Sequence, residues 1–122
     1  MKNLLAFILA ISICGVLYTV RGWGFQYPFL SIYVGKIETQ QWAGKPYLVV
    51  NTASMCAFTR QYVSLQKLYD NYREAGFGMV AVPLDDFNQE LGSYAEIKDF
   101  CELNYDINMP MSETLSVKEA SA

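Results

Sequence analysis

Short apolar runs separated by turn residues open the folded part of the chain and predict strands. Residues 29–33 and 36–38 are short strand-like stretches on either side of Val34 and Gly35, which is the pattern of a small hairpin. Residues 47–51 form an apolar, β-branched run typical of a strand that is covered on both faces of a sheet. We therefore expect an N-terminal hairpin followed by a central strand.

Apolar side chains then recur every three or four residues and predict an amphipathic helix that ends before Gly76. This helical face consists of Tyr62, Leu65, Leu68, Tyr69 and Tyr72. Residues 77–82 are again apolar and β-branched. The order strand, helix, strand predicts a right-handed βαβ unit with parallel strands, and hence an α/β fold.

A second helix is predicted by Ser93, which is followed three residues later by Glu96 in the spacing of a capping box. Ile97, Phe100 and Cys101 share one face of this helix. Residues 109–111 then predict a short extended segment, and residues 118–122 have the composition of a disordered tail.

The N-terminal residues predict export. An apolar or small stretch over residues 4–20 is flanked by Lys2 and Arg21, as in a secretory signal. Its length is also close to the roughly 17 to 25 residues that span a bilayer, so an uncleaved anchor that contacts the membrane is the alternative. We expect residues 1–22 to direct the chain to the periplasm, or to anchor it facing the periplasm, and residues 23–28 to be a linker. The third interpretation is that this stretch forms a buried N-terminal helix of the domain.

Composition limits the chemistry. The 122 residues are 52% hydrophobic, which is enough for one domain, and 9 basic against 12 acidic residues, scattered along the chain, exclude nucleic-acid partners. The chain has no histidine, which excludes Ser-His-Asp and Cys-His catalysis, and its three separated cysteines do not form a zinc set. We expect no metal and no cofactor, so the chemistry must use thiols, carboxylates or amides.

Cys56 has the most informative position, because it lies between the predicted central strand and the first helix. Unpaired backbone N–H groups at a helix N-terminus favour an anion and promote ionisation of a thiol, and Arg60 would act in the same direction. The alternative is that Cys56 is a small buried hydrophobic residue, as many free cysteines are.

The residues around Cys56 resemble the signature of the glutathione peroxidase family, in a cysteine-containing, bacterial-like form. The similarity extends over residues 29–117 and includes the following segments: residues 49–59, Gln61-Tyr62, Val82-Pro83, Phe87, Gln89-Glu90, Gly92-Ser93, Glu96-Ile97, Phe100-Cys101, Asn104-Tyr105 and residues 109–111. It implies a thioredoxin-like fold and a thiol-dependent peroxidase of the oxidative-stress response. In that reading Cys56 is the peroxidatic residue, which attacks hydrogen peroxide or an organic hydroperoxide, becomes sulfenic acid, and is restored by glutathione or a thioredoxin-like reductant.

The chain departs from the family pattern at Asp86, where relatives commonly carry a glutamine that donates to the reactive sulfur. A carboxylate cannot donate to a thiolate, so Asp86 is expected to be protonated or to relay protons. The alternative is that Asp85 and Asp86 form an exposed turn.

Cys101 is the candidate resolving thiol in the domain, although its apolar helix face also favours simple burial. The family's later Trp-Asn-Phe segment does not occur before Ala122, so the fold is expected to be incomplete at its C-terminus. The alternative function is therefore a weakly active or inactive domain that acts as a thiol redox sensor.

Overall fold

The computed structural model describes residues 28–118 and begins with the predicted hairpin. Strands β1 (Phe29–Leu30) and β2 (Lys36–Ile37) pair antiparallel. Gly35 closes the turn at a φ of +77°, a left-handed conformation that glycine adopts without steric cost. The predicted signal or anchor and most of the linker, over residues 1–27, lie outside the described residues, as do residues 119–122.

A strand, a helix and a second strand form the centre of the fold. Strand β3 (Tyr47–Thr52) leads through the loop of Cys56 to helix α1 (Tyr62–Tyr72), and strand β4 (Gly78–Pro83) returns parallel to β3. A 3₁₀ turn over Arg73–Ala75 extends α1, and Gly76 ends it at a φ of +94°. The predicted strand–helix–strand order and the parallel pairing are confirmed.

Within residues 28–118, β4 is the fully buried strand of the pair, and β3 is less covered than the apolar run at residues 47–51 predicts. Every residue of β4 is buried, whereas Leu48 and Val49 of β3 are 36% and 43% exposed. Strand β4 pairs with β3 on one side, and on the other Ala81 bridges to Met111, while Leu84, which directly follows β4, bridges to Leu115. An apolar run indicates a strand, but the elements that flank the strand decide how much of it is covered.

The second helix, α2 (Tyr94–Tyr105), begins at the predicted capping box. The Ser93 hydroxyl accepts from the Glu96 N–H at 3.3 Å and donates to Glu96 Oε2 at 2.9 Å. Ile97 and Cys101 face the core, as predicted. The extended segment after α2 also forms, since Ser112 bridges to Ser31 beside the hairpin.

The buried face of α1 differs from the predicted one. Leu68 and Tyr72 are exposed, and Gln66, which is only 6% exposed, takes an inward position. Gln66 is tolerated there because its amide is hydrogen-bonded: Nε2 donates to Asn108 Oδ1 at 2.8 Å, and Oε1 accepts from the backbone of Asn108 and Met109. This amide ties α1 to the segment that follows α2.

Alternate residues of β4 organise two apolar clusters, one on each side of the strand. Met79 and Ala81 pack with residues of α1 and α2, whereas Val80 and Val82 pack with the hairpin and Trp42. Trp42 lies in a 3₁₀ helix (Thr39–Trp42) that the sequence pattern did not predict. Within residues 28–118 no helix combines the length and the apolar character needed to cross a membrane.

We predict that any side chain at position 78 destabilises the fold, because the Trp42 ring lies directly over Gly78. A Cβ atom at Gly78 would lie 2.2 Å from Cδ2 of Trp42, which forces the indole to move. We expect Gly78→Ala to lower the free energy of unfolding by about 1–3 kcal/mol. Urea denaturation measures this change. Gly92→Ala is the matched control, since its nearest neighbour would be Glu96 Oε2 at 3.7 Å. Equal urea midpoints for the two variants would contradict the prediction.

Candidate active site

Cys56 lies in the loop that joins the carboxyl end of β3 to a 3₁₀ turn over Thr59–Gln61, which runs into α1. Its thiol is free and half-buried. It borders a cavity of about 60 Å³ whose lining residues are Val50, Asn51, Thr52, Ala53, Cys56, Phe58, Thr59, Gln61, Tyr62 and Leu65. Since a water molecule occupies about 30 Å³ in the liquid, the cavity suits a small molecule.

The Thr59 side chain hydrogen-bonds to the backbone of the Cys56 loop. Its buried hydroxyl lies 2.6 Å from the carbonyl oxygen of Cys56 and 2.9 Å from that of Ala53, and its single proton can serve one of them at a time. The Thr59 N–H also donates to the Cys56 carbonyl, at 3.1 Å. The loop is thus folded back on the start of the helix.

A second loop, residues 84–91, holds the Cys56 loop from outside. The Ser54 N–H donates to Glu90 Oε1 at 3.0 Å, and the Met55 N–H donates to the Gln89 carbonyl at 2.8 Å. The two loops lie side by side because they follow neighbouring parallel strands, whose carboxyl ends meet at one edge of the sheet.

The N–H groups of Cys56, Ala57 and Phe58 donate to no acceptor within residues 28–118. They precede the 3₁₀ turn and α1, where unpaired N–H groups and the helix dipole favour an anion. This arrangement can stabilise negative charge on the sulfur or on an oxygen bound next to it. The catalytic role of Cys56 stays a prediction.

Cys101 is buried in α2, and its side chain is only 1% exposed. Burial, together with the nearby carboxylates of Glu90 and Glu102, raises the pKa of Cys101 from 9.0 to about 12. The thiol is therefore held in its neutral, unreactive form. Its predicted resolving role stays a prediction and requires α2 to open locally so that Cys101 can reach Cys56.

Asp86 contacts the C-terminal segment of the described chain. Its carboxylate accepts from the Val117 N–H and the Ser116 hydroxyl, at 2.6 and 2.7 Å, and its backbone carbonyl accepts from Lys118. These hydrogen bonds, the Val117 one above all, lower the pKa of Asp86, which favours the ionised form over the protonated one. Asp85 and Asp86 both lie in the turn that the Asn88 N–H closes on the Asp85 carbonyl, as the alternative interpretation expected, and the role of Asp86 in catalysis stays a prediction.

Sequence reasoning missed Thr59 and Glu90 as residues that shape the loop. Both occur in segments that resemble family motifs, and that resemblance was the available signal. Spacing alone gave no indication, because Glu90 contacts a loop 36 residues away in the sequence. In the described part of the chain, no cluster of three or more His, Cys, Asp or Glu side chains is arranged to hold a metal ion.

Solved structures show the fold class. The crystal structure of T. cruzi GPX1 superposes with a TM-score of 0.54 at 22% identity, over 75% of this chain and 54% of that one. A secreted Mycobacterium tuberculosis disulfide oxidoreductase homologous to E. coli DsbE gives a TM-score of 0.56 at 14% identity, over 71% of this chain and 59% of the other. The fold is α/β and thioredoxin-like, as predicted.

Sequence comparison shows the family. The family model described as glutathione peroxidase matches residues 25–122. The glutathione peroxidase homolog BsaA of Bacillus subtilis is 41% identical over 102 residues, which are 76% of this chain and 64% of BsaA. The glutathione peroxidase of Lactococcus lactis is 38% identical over 70% of this chain and 55% of its own length. The chain belongs to the glutathione peroxidase family, and it spans between half and two thirds of these relatives.

Titration of Cys101 predicts a loss of stability at alkaline pH. Its pKa is higher in the folded state, so its contribution is complete below about pH 9 and is lost as pH rises towards 12. Urea denaturation between pH 8 and about 11 should show the free energy of unfolding falling more steeply in wild type than in Cys101→Ala. The comparison uses slopes, because the substitution also changes packing. Parallel slopes would rule out this contribution.

Proposed function

We propose that the chain is a thiol-dependent peroxidase in which Cys56 reduces hydrogen peroxide or organic hydroperoxides. The observation that carries the proposal is the half-buried free thiol of Cys56, which borders a small cavity and is followed by unpartnered N–H groups. Membership of the glutathione peroxidase family supports the same reaction. The cavity volume favours a peroxide whose reacting end is small.

The reaction starts with the Cys56 thiolate, whose sulfur attacks one peroxide oxygen. The O–O bond breaks, the sulfur supplies two electrons and becomes sulfenic acid, and the leaving oxygen takes a proton from solvent to form water or an alcohol. A thiol then attacks the sulfenic sulfur, water leaves, and a mixed disulfide forms. A second thiol attacks that disulfide and restores Cys56.

We propose glutathione or a thioredoxin-like protein as the source of these two thiols. Among the relatives, one Saccharomyces cerevisiae protein is named a glutathione peroxidase-like peroxiredoxin and one Synechocystis protein a hydroperoxy fatty acid reductase. Because the Cys56 side chain is partly exposed, we expect an external thiol to reach it. Cys101 can replace the first external thiol only where α2 opens to release it.

Single-turnover oxidation tests the proposed reaction. Hydrogen peroxide added in equal amount should convert Cys56 to sulfenic acid, or to a disulfide with Cys101, within seconds, and mass spectrometry locates the product. Cys56→Ser should abolish this reaction, and a thiol reductant should make wild type turn over. The control Cys101→Ser separates the two products, since without Cys101 the domain can give only the sulfenic acid or a disulfide with a thiol outside the domain. Slow oxidation spread over the cysteines of a folded sample would refute the activity.

We also propose that residues 1–22 export the chain, either as a cleaved signal or as an anchor. The apolar stretch of residues 4–20 between Lys2 and Arg21 supports this assignment. Expression of the full chain in a bacterium should place it in the periplasmic or membrane fraction, and a deletion of residues 1–22 should leave it in the cytoplasm. Protein N-terminal sequencing distinguishes a cleaved signal from an anchor. A full chain that stays cytoplasmic would disprove export.

A further inference from the structure

We propose that Glu90 is a positioning residue that holds the Cys56 loop in its reactive conformation. This inference rests on the proposed peroxidase function and identifies a side chain on which that reaction depends. Glu90 itself lies outside the cavity beside Cys56, whose lining comes from the end of β3 and the start of α1. It acts through the backbone of Ser54, which precedes the thiol by two residues.

One carboxylate oxygen makes the decisive contacts. Glu90 Oε1 accepts from the Ser54 N–H at 3.0 Å and from the Leu91 N–H at 2.9 Å. The Glu90 N–H donates in turn to Asp85 Oδ1 at 3.2 Å, which fixes the start of the side chain. Two N–H groups donate to this one oxygen, and an uncharged amide oxygen in the same place could accept the same hydrogen bonds.

The other carboxylate oxygen shows that Glu90 is not simply a solvated surface residue. Glu90 Oε2 is buried and has no hydrogen-bond partner within residues 28–118, and the same holds for the Ser54 hydroxyl. Burying a carboxylate oxygen in this way is unfavourable. Burial is the main cause of the raised pKa of Cys101, and the Glu90 carboxylate adds to it.

The consequence for Cys56 follows from the order of the N–H groups along the loop. Ser54 and Met55 direct their N–H groups to residues 89 and 90, which leaves those of residues 56–58 without an acceptor in the described structure. Without the Glu90 anchor, the peptide planes before Cys56 are free to rotate. The unpartnered N–H groups of residues 56–58 are then no longer held in one orientation beside Cys56.

Three substitutions distinguish the effect of the length of the Glu90 side chain, its reach, from the effect of its charge. Glu90→Gln keeps an oxygen at the same distance and removes the charge, Glu90→Asp keeps the charge but is one methylene too short, and Glu90→Ala removes both. Glu74→Ala is the matched control, because the Glu74 side chain is 91% exposed and far along the chain from the loop. Alkylation of buried Cys101 reports any variant that fails to fold.

The experiment measures two quantities on each full-length variant: amide hydrogen exchange at Ser54 and Met55, and the rate of Cys56 oxidation by hydrogen peroxide. We expect Glu90→Ala and Glu90→Asp to exchange faster at Ser54 and to oxidise about 10-fold to 100-fold more slowly. We expect Glu90→Gln to recover most of the oxidation rate, and Glu74→Ala to match wild type. If Glu90→Ala does not fold, the comparison of Glu90→Asp with Glu90→Gln gives the answer.

Unchanged Ser54 exchange and unchanged oxidation in Glu90→Asp would overturn the positioning role. A fast Glu90→Asp together with a slow Glu90→Gln would also overturn it, because the charge and not the reach would then govern the rate. If wild-type Cys56 itself is not oxidised rapidly, the proposed peroxidase function fails. In that case Ser54 exchange and the alkylation rate of Cys56 by iodoacetamide still decide whether Glu90 holds the loop.

Discussion

The parallel pairing of β3 with β4 is the constraint on which the rest of this structure depends. Six residue pairs join the two strands, from Tyr47 with Gly78 to Thr52 with Pro83. Because both strands run in the same direction, the loops that leave them emerge at the same edge of the sheet. That edge brings the Cys56 loop against residues 84–91, although the two segments are separated by a helix and a strand.

The site that results is built mainly from backbone groups. Glu90 and Gln89 accept from the N–H groups of the two residues before Cys56, and the Thr59 hydroxyl donates to one carbonyl of the same loop at a time. Within residues 28–118 the N–H groups from Cys56 to Phe58 have no acceptor. Such a site needs no histidine and no metal to favour an anion. The orientation of these N–H groups depends instead on how accurately the two loops are held together. A side chain that does not line the cavity can therefore affect the site as much as one that does.

The helices and strands around the core show which structural features the local sequence pattern can predict. The hairpin, α1, α2 with its Ser93 capping box, and the parallel βαβ order all followed from periodicity and turn residues, because these features act over a few neighbouring residues. The pattern did not identify β4 as the more deeply buried of the two parallel strands, nor Gln66 as an inward-facing residue of α1. Both depend on which distant segments pack against them: the bridges from Met111 and Leu115 cover β4, and Asn108 satisfies Gln66.

The sequence by itself determined the α/β class and the family, and it identified Cys56 as the candidate thiol, since each is encoded in contiguous residues such as those around Cys56. Only the tertiary structure decided what surrounds that thiol. It placed Glu90 behind the loop, directed Asp86 towards residues 116–118, and buried Cys101 so that its proton is strongly held. The physical reason is that hydrogen bonds and desolvation act through space, and the residues that supply them here are distant in the sequence.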